Sequence, residues 1–365
     1  MRYGKYIGVL IFIVVLIGCV KDGPLVGPLR EELQLEVPEH FERPRIPESN
    51  PLTEAKVQLG RQLFYDPILS MDNTVSCASC HPQEHAFSDP RRISVGVGGK
   101  TGILPEQRRN APALFNLMYH DFLFWDGRIE DPFGTLEHME AQIRLPIEDP
   151  NEMGSSFKLV MERLNDHPEY PKLFLQAFDD TITELRIMQA IASFERVLLS
   201  YSSKYDRFVE AGFDSTVLTS AEYRGFKLFF DEVPGRKHPE CFHCHGGFNF
   251  DDPAGTFRNN GLDRNGGILD AGRFQVTANT FDFGKFKVPS LRNVSFTAPY
   301  MHDGRFETLD EVLDFYQTGG NPSTGLDPLM TTIGFTDEEK ADLKSFLLTL
   351  NDTSFVTNPD FASPF

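Results

Sequence analysis

Tryptophan occurs once in the 365 residues and cysteine five times, and no stretch alternates apolar and polar residues long enough to suggest a sheet. Positive charge is also in deficit: 35 Lys and Arg face 53 Asp and Glu, for a net charge of −18. That balance repels phosphate backbones and removes nucleic acid as a partner, while a basic protein would be steered favourably toward the surface. Long apolar runs are scarce. The run from Ile7 to Ile17 is too short for a comfortable membrane span. What is abundant is phenylalanine, at 33 residues, which suits a large apolar interior or a flat apolar cofactor. The length points to two domains rather than one small core.

The N-terminal apolar run follows Arg2 and Lys5, as in the h-region of an export signal. It ends in Leu16-Ile17-Gly18-Cys19, which resembles the bacterial lipobox. The resemblance implies cleavage before Cys19 and lipidation of that residue, with the chain held in the periplasm on a membrane, the outer one favoured. Residues 20–50 are rich in Pro and Glu without sustained periodicity and read as a tether with local structure at most.

Beyond the tether the chain repeats itself. "GRQLFYD" from Gly60 precedes "CASCH" at 77–81, and "GFKLFFD" from Gly225 precedes "CFHCH" at 241–245. "RNAP" (109–112) and "FWDGR" (124–128) then parallel "LRNV" (291–294) and "MHDGR" (301–305) in the same order. Two copies of one domain follow. Their structure reads as mostly α. "ELRIMQAIASFERVLLS" puts Ile187, Ala190, Ile191, Phe194, Val197 and Leu198 on one helical face. Thr308 with Glu311, and Thr336 with Glu339, are spaced as capping boxes. The Gly- and Asn-rich loop at 259–272 is long enough to need something, such as a bound cofactor, to hold it.

Cys-x-x-Cys-His is the attachment signal of c-type haem: two thiols add to the porphyrin vinyl groups, and the adjacent His ligates the iron. The pairs Cys77/Cys80 and Cys241/Cys244 would each hold one haem, with His81 and His245 as proximal ligands. Two disulfides are the alternative for an exported chain, but do not account for the attached histidines. A zinc ribbon would place its Cys pairs close together, whereas these lie in separate repeats.

"CASCHPQEHAFSD", "RRNAPALFN", "FWDGR", "PNEMG", "KVPSLRN" and "PYMHDGRFETL" together resemble the bacterial di-haem cytochrome c peroxidase family, with its MauG-like subgroup, over roughly residues 50–350. The resemblance implies two tandem cytochrome c-type domains, one c-type haem each: a peroxidatic domain at 51–210 and an electron-transfer domain at 211–365. It implies Glu152 and Gln142 as the peroxide pocket and Trp125 as an electron relay between the haems. It also implies a calcium ion at Asn110, Thr297 and Pro299. Where some relatives carry a second His ligand to the first haem, this chain has Val97. His85 precedes that loop and reads as a local hydrogen-bonding residue. Tyr316 stands where classical members have a distal Met and MauG-like members a Tyr, with Met301 as the competing ligand.

The expected function is reduction of hydrogen peroxide to water, with electrons from a small cytochrome c or similar donor entering at the C-terminal haem. MauG-like oxidation of a protein or organic substrate is the second reading, and a non-catalytic di-haem electron carrier the third. The oligomeric state is open, a homodimer included.

Overall fold

The structure, a computed structural model, describes residues 31–102, 109–130, 137–230, 240–252, 254–263 and 270–365. The signal segment and Cys19 lie outside the described residues. No described helix is long and apolar enough to cross a membrane.

Helices dominate. The principal ones are α1 (Glu54–Tyr65), α2 (His138–Glu148), α3 (Phe157–Asp166), α4 (Tyr170–Phe178), α5 (Glu184–Val197), α6 (Lys204–Glu210) and α7 (Ser220–Phe230). After the short α8 (Phe274–Thr277) come α9 (Leu309–Gln317), α10 (Asp337–Leu348) and the single turn α11 (Thr353–Val356). Strand pairing among the described residues is confined to two antiparallel ladders of two residues per strand. β1 (Phe122–Leu123) pairs with β2 (Ile129–Glu130), and β3 (Phe257–Arg258) with β4 (Phe286–Lys287). The lack of alternating sequence has this physical counterpart.

The repeat in sequence is a repeat in packing. α1 lies across α5, and α7 lies across α10. At the first crossing a Cβ on Gly60 would fall 1.9 Å from the Ala190 carbonyl oxygen. At the second, a Cβ on Gly225 would fall 2.0 Å from that of Asp342. Only glycine lets the backbones meet so closely. The aromatic that follows completes each crossing: Phe64 packs edge-on to Phe194, and Phe229 against Phe346. The expected face of α5 is buried at Ile187, Ala190, Ile191, Phe194 and Leu198. Both expected capping boxes are formed, by Thr308 with Glu311 at the start of α9 and by Thr336 with Glu339 at the start of α10.

The buried apolar side chains fall into two clusters, one around α1 and α5, the other around α7 and α10. Two segments cross between them. Tyr205 and Phe208 of α6 belong to the second cluster, and Phe355 of α11 returns to the first. Residues 31–50, read from sequence as a tether, form neither helix nor strand but are docked rather than free. Phe41 is buried against Phe248 of the second half and Tyr119 and Tyr201 of the first, and the fully buried Asn50 side chain donates to Glu140 and to the Gln189 carbonyl. One phenylalanine and two side-chain amides in twenty residues leave no periodic signal, so composition alone hid this docking.

Candidate active site

Each Cys-x-x-Cys-His motif folds into the same turn. Cys77–Ser79 is a 3-10 turn in which the amides of Cys80 and His81 donate to the Cys77 carbonyl at 3.2 and 3.0 Å. Cys241–His243 repeats it, with Cys244 and His245 donating to Cys241 at 3.1 and 2.8 Å. His81 Nδ1 lies 2.7 Å from the Phe87 carbonyl oxygen, and His245 Nδ1 lies 3.2 and 3.1 Å from those of Phe250 and Pro289. A carbonyl only accepts, so Nδ1 carries the proton and the Nε2 lone pair is left for a metal. Burial lowers the affinity of both imidazoles for a second proton and keeps them neutral.

The four motif thiols are free, with no disulfide between them. Burial raises each of them, Cys241 to about 12. Among the described residues no cluster of His, Cys, Asp and Glu could hold a metal by itself. His81 and His245 instead line one largely apolar cavity of about 340 Å³, walled by both halves of the chain. Cys241 and Cys244 line it too, whereas Cys77, Cys80 and Glu152 do not; paired thiols beside an imidazole with a free Nε2, against a cavity of Leu, Phe, Val and Pro, suit a flat apolar macrocycle held by thioethers and an axial nitrogen. The residues fit c-type haem.

Gln142, on α2, reaches this cavity. Glu152 follows on a tight turn. Its amide donates to the Asp149 carbonyl, and Asp149 Oδ1 accepts from the Asn151 amide at 2.7 Å. Glu152 is exposed on this turn. Even so, desolvation by the surrounding protein, with Asp149 adding and Arg128 opposing, pushes its carboxyl up to about 7. It is close enough to Cys77 and Cys80 to raise both thiols. Val97 is buried against Gly154, and its amide donates to the Glu152 carbonyl at 2.8 Å, so the residue in the distal-ligand position braces this turn. His85 does not line the cavity. Its backbone carbonyl accepts from the Ser88 hydroxyl at 2.7 Å.

Trp125 lines the cavity where the halves meet. Its indole donates to the Asn110 carbonyl at 2.8 Å, and its own carbonyl accepts from the Lys287 amide at 2.8 Å. At the far end stand both candidate distal ligands, Tyr316 and Met301. Asn260 Nδ2 lies 3.3 Å from Tyr316 Oη and 3.7 Å from Met301 Sδ. Burial pushes the Tyr316 phenol up to about 12. The sequence does not single out Asn260 by itself, although its length and composition mark the Asn-rich loop that carries it as one needing a ligand. Asn110, Thr297 and Pro299 also reach the cavity. Asn110 donates to the Asp89 and Arg91 carbonyls at 3.0 and 2.9 Å, leaving its Oδ1 with no protein donor among the described residues.

Comparison with known proteins agrees with this arrangement. A family model described as di-haem cytochrome c peroxidase matches residues 54–213. The methylamine utilization protein MauG of Methylorubrum extorquens is 38% identical over 315 residues, covering 85% of this chain and 83% of that protein. The cytochrome c551 peroxidase of Nitrosomonas europaea is 32% identical over 313 residues, covering 84% and 82%. Among solved structures, a MauG-like protein associated with microbial copper homeostasis superposes with a TM-score of 0.80 at 36% identity, over 91% of this chain and 99% of that one. The diheme peroxidase BthA of Burkholderia thailandensis, at 22% identity and a TM-score of 0.69, shares the fold. With the paired haem-attachment turns opening on one cavity, these similarities place the chain in the di-haem cytochrome c peroxidase family, whose members are oxidoreductases.

Proposed function

We propose that the chain reduces hydrogen peroxide to water at the His81 site, with electrons entering at the His245 site from a small redox protein. Each apolar cluster would then be one cytochrome c-type domain carrying one haem. The reading is carried by Glu152, a carboxyl held near neutrality on a braced turn beside Cys77 and Cys80. Haem bound at the two motifs would supply an iron able to take up peroxide and the redox centres for two electrons. Turning one peroxide into two waters also takes two protons, and one proton must cross from the inner to the outer oxygen. A carboxyl near 7 is protonated and deprotonated with comparable ease at neutral pH, which suits it to carry that proton. Gln142 would orient the peroxide, and Val97, fixed in the Glu152 turn, has no side-chain donor to close the site. Trp125, in the shared wall, would be the aromatic through which electrons cross between the halves.

Replacing Glu152 by Gln keeps the shape and removes the titrating group. Turnover should fall by at least about 100-fold, the lower end of the usual general acid–base contribution, with both haems still attached by absorbance and mass. Turnover within threefold of the parent removes the assignment.

The relationship to MauG and the position of Tyr316 favour a second reading, oxidation of a protein or organic substrate. Under it, Tyr316→Phe alters the spectrum of the C-terminal haem. An unchanged spectrum leaves Met301 as ligand and removes the reason for this reading. The chain would act in the periplasm, anchored through Cys19. The unengaged Asn110 Oδ1, with the carbonyls of Thr297 and Pro299, would hold calcium.

A further inference from the structure

Lys287 lines the cavity at the end of β4 and is tied through its amide to the Trp125 carbonyl. Its Nζ has no hydrogen-bond acceptor and no carboxylate partner among the described residues. The other long cations near this cavity are engaged. Arg258 donates to Asp252 and Asp327 at 2.9 Å each. Arg109 donates to Asp126 and Asp270. Arg292 is held by Asp206. Asp251 is the acid whose charge acts on Lys287, but its Oδ2 already accepts from His120 and Asn249 at 3.0 Å each. Lys287 is half-buried on the cavity wall, and a lysine there with no hydrogen-bond acceptor is available to an anion that enters the cavity.

The cavity tells which anion. Its wall is largely apolar, and the other cation on it, Arg258, is spent on two aspartates, so Lys287 is the lining cation left for an incoming anion. Haem carries two propionate carboxylates on an otherwise apolar body, which matches one cation on an apolar wall. Pro289, two residues beyond Lys287, holds His245 through its carbonyl at 3.1 Å, and all three line the cavity, which puts the lysine beside the second attachment motif. We propose that Lys287 is the counter-ion of a propionate on the haem held by Cys241, Cys244 and His245, and that it sets the potential of that haem beside the Trp125 crossing point. The inference rests on haem binding at the motif, but not on peroxide chemistry. Lys287 is a positioning and tuning residue. A positive charge near the iron favours the reduced state, which carries one positive charge fewer.

The test is a crystal structure of the haem-loaded protein together with midpoint potentials for the parent, Lys287→Met and Lys287→Arg. Haem content is measured separately by pyridine haemochrome and mass. Expected are a propionate oxygen within hydrogen-bond distance of Nζ and, in Lys287→Met, a threefold or greater fall in the reduction equilibrium constant of one haem. Lys287→Arg, which keeps the charge, should retain the parental value. An Nζ with no propionate in reach, or unchanged potentials in a fully loaded Lys287→Met protein, overturns the proposal. Should Lys287→Met not fold, the parental crystal structure decides alone. Failure to attach two haems would instead overturn the family-level reading of the motifs.

Discussion

Two glutamates of the first half are held far from the ordinary carboxylate range, for different ends. Glu152 is exposed, and the proposed function gives it the peroxide proton to carry. Glu195, on α5, is enclosed, and its Oε2 has no partner among the described residues. Its neighbour Arg196 is no remedy, because that guanidinium is spent in a buried pair with Glu140 at 2.7 Å. Burial pushes Glu195 up to about 8, with Glu140 adding and Arg196 opposing. The folded chain therefore keeps a proton that the unfolded chain releases above 4.5. Stability contributed at this position is full below that value and drains away as pH rises toward 8, by about 1.4 kcal/mol for each step of one in pH. Glu195→Gln, which mimics the protonated acid, should lose less stability between pH 5 and pH 8 than the parent in urea unfolding. Equal losses would mean that other groups carry the pH dependence. Neither acid announces itself in the sequence. Glu152 became visible through the "PNEMG" resemblance, and Glu195 sits in a helix where a charged residue next to an arginine reads as solvated surface.

At the scale of elements, the two helix crossings are the clearest product of the repeat. Thr53 caps α1 by accepting from the Lys56 amide, and capping boxes start α9 and α10, so local chemistry sets where these helices begin. Their meeting points are set by Gly60 and Gly225. An alanine at either would overlap a carbonyl, and a core forced apart in this way loses about 1–3 kcal/mol or more. Gly60→Ala and Gly225→Ala should each lower the thermal midpoint of the loaded protein. The first should disturb the absorbance of the haem on His81, the second that of the haem on His245. A midpoint unchanged in both would show that the crossings yield more easily than their geometry implies. Helix faces, caps and the duplicated motifs were legible because each depends on residues close together in sequence. The docked strap at 31–50, Asn260 between Tyr316 and Met301, and the solitary Lys287 were not, because each acquires its meaning from partners far away along the chain. Lys287 did leave a trace, as a lysine flanked by Phe286 and Val288 in the apolar run "FKVP".

At the scale of the molecule, the two halves are laced together in ways that a pair of beads on a string would not need. Arg109 reaches from the first half to Asp270 of the second while holding Asp126 of its own, all buried. The strap lays Phe41 over Arg292, and His40 meets Asp206 at 2.9 Å. On the proposed function, electron transfer between two fixed centres would gain from such lacing, since a rigid separation would keep a crossing point at Trp125 in register. The C-terminal tail adds the longest stitch. After α10 completes the second cluster, the chain crosses back, and Phe355 packs against Phe87 and Phe115 of the first. Gln83, two residues beyond His81, donates to the Phe355 and Asn358 carbonyls at 3.2 and 2.8 Å, and Arg61 and Tyr65 of α1 donate to Ala362 and Phe361 at 2.7 and 2.8 Å. The same Phe87 whose carbonyl orients His81 is thus pressed from behind by the end of the chain. Removing the ring in Phe355→Ala should cost about 3–5 kcal/mol, as for other buried Phe side chains. Because Phe87 would lose its support, the damage should fall on the first half although the mutation lies in the last dozen residues. Followed by absorbance during urea unfolding, the haem on His81 should lose its native spectrum at a lower urea concentration than the haem on His245, where the parent loses both together. A variant that shifts both haems equally would mean that the tail stabilises the molecule as one body and has no special hold on the first site.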